Sequence, residues 1–176
     1  MKSYAGIGSR ETPREINNEM SFFALCATYA PLILRSGGAN GADEAFETGC
    51  GNGPKEIYLP WKNFNKNSSS LYTLHPKAAE LAASVHPHYK YMKHGAKLLI
   101  ARNMQQILGA NLDDPVEFVI CWTKDGCESH ETYNPSKTGG TGSAIALASK
   151  CDIPVYNLFN NGRIVAAVEH LHALTK

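Results

Sequence analysis

The chain alternates between short apolar stretches and longer segments in which apolar residues recur at helical spacing. The apolar stretches predict five strands, at residues 2–7, 32–35, 56–59, 116–122 and 153–158. The second stretch is continuous rather than alternating, which is typical of a strand covered on both faces of a sheet. Strands that alternate with helices form parallel sheets with helices on both sides. We therefore expect an α/β fold, a doubly wound and mainly parallel Rossmann-like sheet in one domain spanning residues 1–176.

Helical patterns occupy the segments between these strands. The first helix is expected to follow Thr12, which has the features of an N-cap, with Pro13 at the first helical position and Glu15 completing a capping box. One face of this helix carries apolar residues at helical spacing, namely Ile16, Met20, Phe23 and Ala27. A second helix is predicted to end at Cys50, and the others cover residues 77–85, 96–108, 143–150 and 162–174. Residues 60–76 and 124–137 are predicted to be loops.

Composition and charge exclude several classes of protein. Hydrophobic residues make up 43% and charged residues 19% of the chain, which is typical of a folded globular protein. A net charge of +1 argues against a protein whose affinity comes mainly from neutralising many phosphates. No apolar run approaches the roughly 20 residues of a membrane span, and glycine and arginine occur too early for a signal peptide. The five cysteines form no C-x-x-C pair, so we expect reduced thiols in a cytoplasmic protein that has no membrane partner.

Metal ligation and cofactor chemistry find little support in the pattern. His86, His88 and His94 are separated by a proline and a loop, whereas a metal site needs its ligands on one face with a carboxylate or cysteine nearby. Cys127, Glu128 and His130 lie close in sequence, but no further catalytic group lies near them. We expect neither a metal nor a cofactor.

Three glycine-rich loops follow predicted strands or open predicted helices. They are Gly6–Arg10, Ser36–Asp43 and Thr138–Ser143. Ligands of parallel sheets bind beyond the carboxyl ends of the strands, and glycines there allow backbone N–H groups to approach a phosphate at a helix N-terminus. The alternative for the first and third loops is an ordinary tight or flexible turn, and the third is not a P-loop because no lysine follows its last glycine. Three glycines within Gly37–Gly41 are hard to explain by packing alone, so we favour a binding loop there.

Asp43 and Arg102 are further candidate ligand-binding residues, and each has two interpretations. Asp43 either caps its helix or accepts a hydrogen bond from a ribose hydroxyl. Arg102, next to Asn103 in an apolar helix, either lies on the solvent face or reaches the same crevice and pairs with phosphate.

Taken in order, the motifs resemble a known superfamily. They read G-x-G-S-R after the first strand, S-G-G-A-x-G-A-D after the second, A-R-N in a helix, C-W-T at the end of an apolar strand, then G-G-T-G-S-A and I-P-V-x-N-L. This order is similar to the Rossmann-like superfamily that joins the DNA-processing protein A (Smf) family with the Lonely Guy phosphoribohydrolases. The chain most resembles the short, single-domain branch met in phages and prophages, and the resemblance covers residues 4–158.

The resemblance implies that the three loops hold a nucleotide, a nucleotide-derived ligand or a nucleic-acid phosphate. The matching positions are Gly8, Ser9, Arg10, Ser36, Gly37, Gly38, Gly139, Gly140, Thr141, Gly142 and Ser143. We add five ligand-binding candidates from the neighbouring segments, namely Asn40, Asp43, Arg102, Asn103 and Thr123. Either Trp61 or Trp122 is a candidate to cover a base.

The resemblance leaves the reaction open, because one catalytic position differs. The hydrolase members carry a glutamate in P-G-G-x-G-T-x-x-E, and the corresponding residue here is Ala146. A missing general acid/base removes roughly 10²–10⁴ in rate, so we assign no catalytic residue; Asp43, Glu44 or Glu47 would have to replace it. Single-stranded-DNA-binding members usually carry flanking domains, while a further branch of sensor domains binds cyclic ADP-ribose-type signals without cleaving them.

The expected function is therefore capture of a phosphorylated nucleotide or an ADP-ribose-like signal, linear or cyclic, without efficient turnover. In a phage, such a protein would sequester a host immune signal. The alternatives are a nucleotide N-glycosidase or phosphoribohydrolase and, further, a recombination mediator that binds single-stranded DNA. The expected partner is a nucleotide-derived small molecule, with nucleic acid less favoured, and the resemblance implies a homodimer or higher homo-oligomer.

Overall fold

A computed structural model describes residues 1–176 and contains one parallel sheet with helices on both faces. Its strands are β1 (Lys2–Gly6), β2 (Leu32–Ser36), β3 (Lys55–Ile57), β4 (Val119–Cys121) and β5 (Val155–Asn157). They pair in the order β3-β2-β1-β4-β5, and every pair is parallel. The predicted doubly wound, Rossmann-like α/β fold is confirmed.

Seven helices connect the strands. They are α1 (Arg14–Ala27), α2 (Ala42–Cys50), α3 (Ala78–Val85), α4 (His94–Leu108), α5 (Pro135–Thr138), α6 (Gly142–Lys150) and α7 (Arg163–Leu174). Short 3-10 turns occupy Phe64–Lys66 and Tyr89–Tyr91. None of these helices combines the length and the apolar character that a membrane crossing requires.

Alternation along the central strands divides the core into two halves. Tyr4 and Phe118 face α1, α2 and α7, whereas the adjacent Ala5 and Val119 face α3, α4 and α6. Successive side chains of a strand point to opposite faces, so β1 and β4 supply apolar residues to both layers. Because both faces of the central strands are buried, their apolar pattern is continuous.

The observed elements differ from the predicted ones mainly at their ends. β4 begins at Val119 although apolar residues start at Val116, which is buried outside the strand. The prediction of a capping box at the start of α1 is wrong. The Thr12 hydroxyl instead donates to the Ser9 carbonyl at 2.7 Å and closes the turn after β1. The predicted loop 124–137 contains most of α5, and all five cysteines are unpaired.

The strand order places a topological switch between β1 and β4. From β1 the chain proceeds outward through β2 to β3, then crosses to β4 on the other side of β1. The connections on the two sides diverge there, which opens a crevice beyond the carboxyl ends of the two strands.

Candidate functional site

A crevice of about 480 Å³ lies at this switch point. Four parts of the chain form its walls: the loop after β1, the loop and first turn of α2, the middle of α4, and the segment between β4 and α6. The lining residues are Ile7, Gly8, Ser9, Arg10, Glu11, Ala39, Asp43, Leu99, Ile100, Arg102, Asn103, Gln106, Lys124, Ser136, Lys137, Thr138, Gly139, Gly140 and Thr141. The volume falls within the usual range of small-molecule sites.

The crevice is polar and carries more positive than negative charge. Its cations are Arg10, Arg102, Lys124 and Lys137, and its acids are Glu11 and Asp43. Only four of its 19 lining residues are apolar. The chain as a whole has a net charge of +1, so this excess is local. Such a wall favours a polar anion over an apolar ligand.

Arg102 is buried between α4 and the loop after β2, and is not on the solvent face of the helix. Its Nη1 donates to the carbonyl oxygens of Gly37 and Tyr58, the latter at 3.0 Å, and its Nε donates to Asn103 Oδ1 at 3.1 Å. Its Nη2 donates to no protein acceptor, and Arg102 lines the crevice. Burial lowers the pKa of the guanidinium, and the neighbouring Asp43 opposes this change.

Asp43 is a buried carboxylate in the first turn of α2. Its side chain accepts from the Ala39 N–H at 3.3 Å, and the nearby Gly8 N–H also favours its charged form. Burial raises its pKa to about 6, although the charges of Arg102 and Arg10 and these hydrogen bonds act in the opposite direction. A carboxylate in a cleft whose pKa lies this close to neutrality is typical of a functional group.

The third glycine loop presents an open backbone to the crevice. A Cβ atom added to Gly139 or Gly140 would meet no atom within 4 Å, so packing does not require glycine at either position. Gly139 has a φ of +77°, which does favour glycine. The Asn103 amide donates to the Gly140 carbonyl at 3.0 Å and to Ser143 Oγ at 3.1 Å, and so holds the loop in place.

Three backbone donors around the start of α6 have no protein partner. The N–H groups of Gly140, Thr141 and Ser143 donate to no backbone or side-chain acceptor. Unpaired N–H groups in the first turn of a helix carry partial positive charge and bind anions. Lys137 directly precedes this loop and also lines the crevice.

The second glycine loop has a different role from the one that its sequence suggested. Ser36, Gly37, Gly38 and Asn40 do not line the crevice. Ser36 Oγ donates to the Gly6 carbonyl at 2.7 Å, and a Cβ on Gly37 would overlap Arg102 Nη1. Gly38 has a φ of +65° beside Leu59, and the Asn40 side chain accepts from Asn65. Packing does explain these glycines, because Gly37 lies against Arg102 of α4, Gly38 lies against Leu59, and Gly41 lies against the backbone of the loop after β1.

Three other candidate residues do not line the crevice but pack behind its lining. Thr123 is buried, and its Oγ1 accepts from Asn157 Nδ2 at 2.7 Å. Gly142 allows the Tyr133 ring to pack against α6, and Ser143 is bonded to Asn103. The predicted residues that do line the crevice are Gly8, Ser9, Arg10, Asp43, Arg102, Asn103, Gly139, Gly140 and Thr141.

No aromatic residue lines the crevice. Trp61 packs edge-on against Phe64, with ring centroids 5.1 Å apart, and Trp122 is buried near Phe159. The suggestion that either tryptophan covers a base therefore has no support in this arrangement. The apolar contact surface of the crevice comes from Leu99 and Ile100 instead.

Sequence reasoning overlooked two cations of the crevice. Lys124 follows β4 by three residues, and Lys137 precedes the third glycine loop. Their positions just after a strand and just before a glycine-rich helix start could have indicated them. Both residues belong to the predicted loop 124–137. The sequence pattern does not indicate that this loop passes over the site.

The carboxylates offered as substitutes for the missing glutamate separate in space. Asp43 lines the crevice, whereas Glu44 and Glu47 line a smaller depression of about 220 Å³ beside Asn65 and Asn67. Ala146 is 1% exposed and lies on the buried face of α6, in the core and away from the crevice lining. A carboxylate placed at position 146 would thus be buried among apolar side chains.

Fold and site together define a doubly wound α/β domain with a polar, cation-lined crevice at its switch point. We find no family model that matches this chain, and no curated protein or solved structure that matches it at a significant level. The geometry of the crevice is therefore the basis of the functional argument.

Proposed function

We propose that the protein binds a phosphorylated nucleotide, or a ligand derived from one, in this crevice and does not turn it over efficiently. The observation that carries the proposal is the open backbone at Gly139 and Gly140, where the N–H groups of Gly140 and Thr141 are unpaired and lie beside an excess of cations. This combination suits a phosphate group.

In the proposed complex, one phosphate accepts hydrogen bonds from the N–H groups of Gly140 and Thr141. Lys124 and Lys137 balance its charge, and the N-terminal end of α6 adds its dipole. Arg102 Nη2 and the Arg10 guanidinium bind a second anionic or polar group across the crevice.

The sugar of the ligand would lie next to Asp43. A buried carboxylate with its own N–H donors is a strong acceptor for a ribose hydroxyl. Leu99 and Ile100 offer aliphatic contact to a base in place of aromatic stacking. The ligand is thus recognised mainly through its phosphate and sugar.

A second candidate function, N-glycosidic cleavage, rests on Asp43 alone. Of the three carboxylates considered, it is the one in the crevice, and a pKa of about 6 suits proton transfer near neutral pH. No second catalytic group accompanies it except the exposed Glu11. Binding without turnover is accordingly the first proposal.

Incubation with nucleoside monophosphates and ADP-ribose, followed by chromatography, separates these functions. Intact ligand recovered after denaturation supports capture, and release of free base identifies an enzyme. Failure of the parent protein to bind any of these compounds in a calorimetric titration would overturn both.

The variant Gly140→Asp tests the phosphate position. Its Cβ enters open space, so we expect normal folding, but its carboxylate would repel the phosphate and reduce affinity by at least tenfold. Gly140→Asn has nearly the same size without the charge, and it should retain more affinity than Gly140→Asp. Equal affinity of all three proteins would place the phosphate elsewhere.

A further inference from the structure

Gln106 is a buried amide in the crevice that has no partner in the protein. It is 2% exposed and lies one helical turn after Arg102 and Asn103 in α4, and all three residues line the crevice. Neither Oε1 nor Nε2 of Gln106 takes part in a hydrogen bond within the protein, and both atoms keep a little accessible surface. Buried polar groups are nearly always hydrogen-bonded, so this free amide marks the position of a group that the crevice receives.

The adjacent Gln105 shows how a structural glutamine is used in the same helix. It is 3% exposed and does not line the crevice. Its Oε1 accepts from the His75 N–H at 3.3 Å, and its Nε2 donates to the carbonyls of Thr73 and Ala110 at 3.5 and 3.3 Å. The free amide of Gln106 is therefore not a general property of glutamines in α4.

We propose that Gln106 binds the edge of the nucleotide base and so determines which base the crevice prefers; this inference rests on the proposed nucleotide-binding function. An amide presents a donor and an acceptor side by side in one plane, as the edges of the bases do. Glutamine pairs with adenine in this way when proteins recognise DNA. A phosphate group only accepts, so it would leave the amide oxygen without a partner.

The position of Gln106 relative to the third glycine loop suits a base. Gln106 Nε2 lies against Gly37, which follows β2, whereas Gly140 belongs to the connection after β4. Because β1 lies between these two strands, they are roughly 10 Å apart, twice the usual strand spacing. Asp43 lies near the Gly8 N–H, which follows β1. A phosphate at Gly140 and a sugar at Asp43 therefore direct the base towards Gln106.

This role has a consequence for the stability of the protein without ligand. The Gln106 amide is removed from water and gains no hydrogen bond in return, so an apolar side chain of the same length removes a cost. Gln106→Met should leave the melting temperature unchanged or raise it. Gln105→Met is the matched control: it breaks three hydrogen bonds and should lower the melting temperature by at least about 3 °C.

Calorimetric titration with AMP, GMP, CMP, UMP and ribose 5-phosphate tests the contact with the base. We expect the parent protein to prefer one of the four nucleotides, and Gln106→Met to bind that nucleotide about tenfold more weakly. Ribose 5-phosphate has no base, so the parent and Gln106→Met should bind it equally. Gln105→Met should keep the affinities of the parent.

Four results would overturn the inference. If Gln106→Met binds all four nucleotides as the parent does, nucleotide binding stands but Gln106 does not contact the base. An equal loss of affinity for ribose 5-phosphate would place the amide at the sugar or the phosphate. A melting temperature lowered as in Gln105→Met would make Gln106 a structural residue. A parent protein that binds none of the five compounds would exclude the contact with the base, and the proposed function would fail with it only if ADP-ribose did not bind either.

Discussion

At the residue scale, Arg102 has a structural role, to which we propose to add a binding role. Its Nη1 donates to two backbone carbonyls, and its charge lies near Asp43, while Nη2 donates to no protein acceptor. A side chain used in this way cannot be removed without consequences for the fold. The sequence left open whether Arg102 faces solvent or the crevice, and did not suggest that it binds the loop after β2.

Arg102→Ala should therefore reduce stability as well as affinity. It leaves the Gly37 and Tyr58 carbonyls without their donor and Asp43 without its neighbouring charge. Loss of a charged donor to two buried carbonyls lowers the free energy of unfolding by about 3 kcal/mol. Urea denaturation measures this value, and a loss below about 0.5 kcal/mol would show that these hydrogen bonds contribute little.

Asp43 should make stability depend on pH. Its pKa is about 6 in the folded protein and 3.8 in the unfolded chain, so the folded state binds more protons between these values. Stability therefore falls as pH rises through this window, by about 2 kcal/mol between pH 4 and pH 7. Asp43→Asn does not titrate, so the variant should gain stability relative to the parent over the same range. Parallel stability curves for the two proteins would contradict this.

At the element scale, the glycine loops divide into two kinds. The loop after β2 packs closely against α4 at Gly37, where the Arg102 and Gln106 side chains occupy the space that a Cβ atom would need. The loop before α6 is open at Gly139 and Gly140. Similar glycine-rich sequences thus serve close packing between elements in one case and access to a crevice in the other.

Two alanine substitutions measure this difference. Gly37→Ala forces a methyl group against the hydrogen-bonded end of Arg102, and overpacking of this kind lowers stability by about 1–3 kcal/mol. Gly140→Ala meets no neighbour and should change stability by less than about 0.5 kcal/mol. Thermal unfolding of both variants checks the prediction. Similar melting temperatures would show that α4 shifts readily to accommodate the methyl group added at Gly37.

At the scale of the whole molecule, a crevice with a local excess of cations belongs to a chain that is nearly neutral. Four cations line the crevice, and the net charge of the chain is +1. A single strand of DNA could therefore release few counterions on binding. We expect a plot of log affinity for an oligonucleotide against log salt to have a slope no steeper than about −3. A much steeper slope would favour the recombination-mediator alternative.

The alternation of apolar strands and helices determined the parallel sheet, its doubly wound form and the end of the sheet where the glycine loops gather. Local spacing suffices for these features, because strand and helix periods differ and connections of this length favour parallel pairing. It did not determine the element ends, as the Thr12 hydroxyl shows by bonding to Ser9.

Only the tertiary structure decided which residues face the crevice. Arg102 meets the Gly37 carbonyl across 65 positions of the chain, and Asn103 meets the Gly140 carbonyl across 37. Such contacts depend on how α4 packs against the sheet, which no local pattern encodes. Packing therefore made the loop after β2 an internal support, buried Ala146, excluded both tryptophans and brought Lys124 and Lys137 to the site.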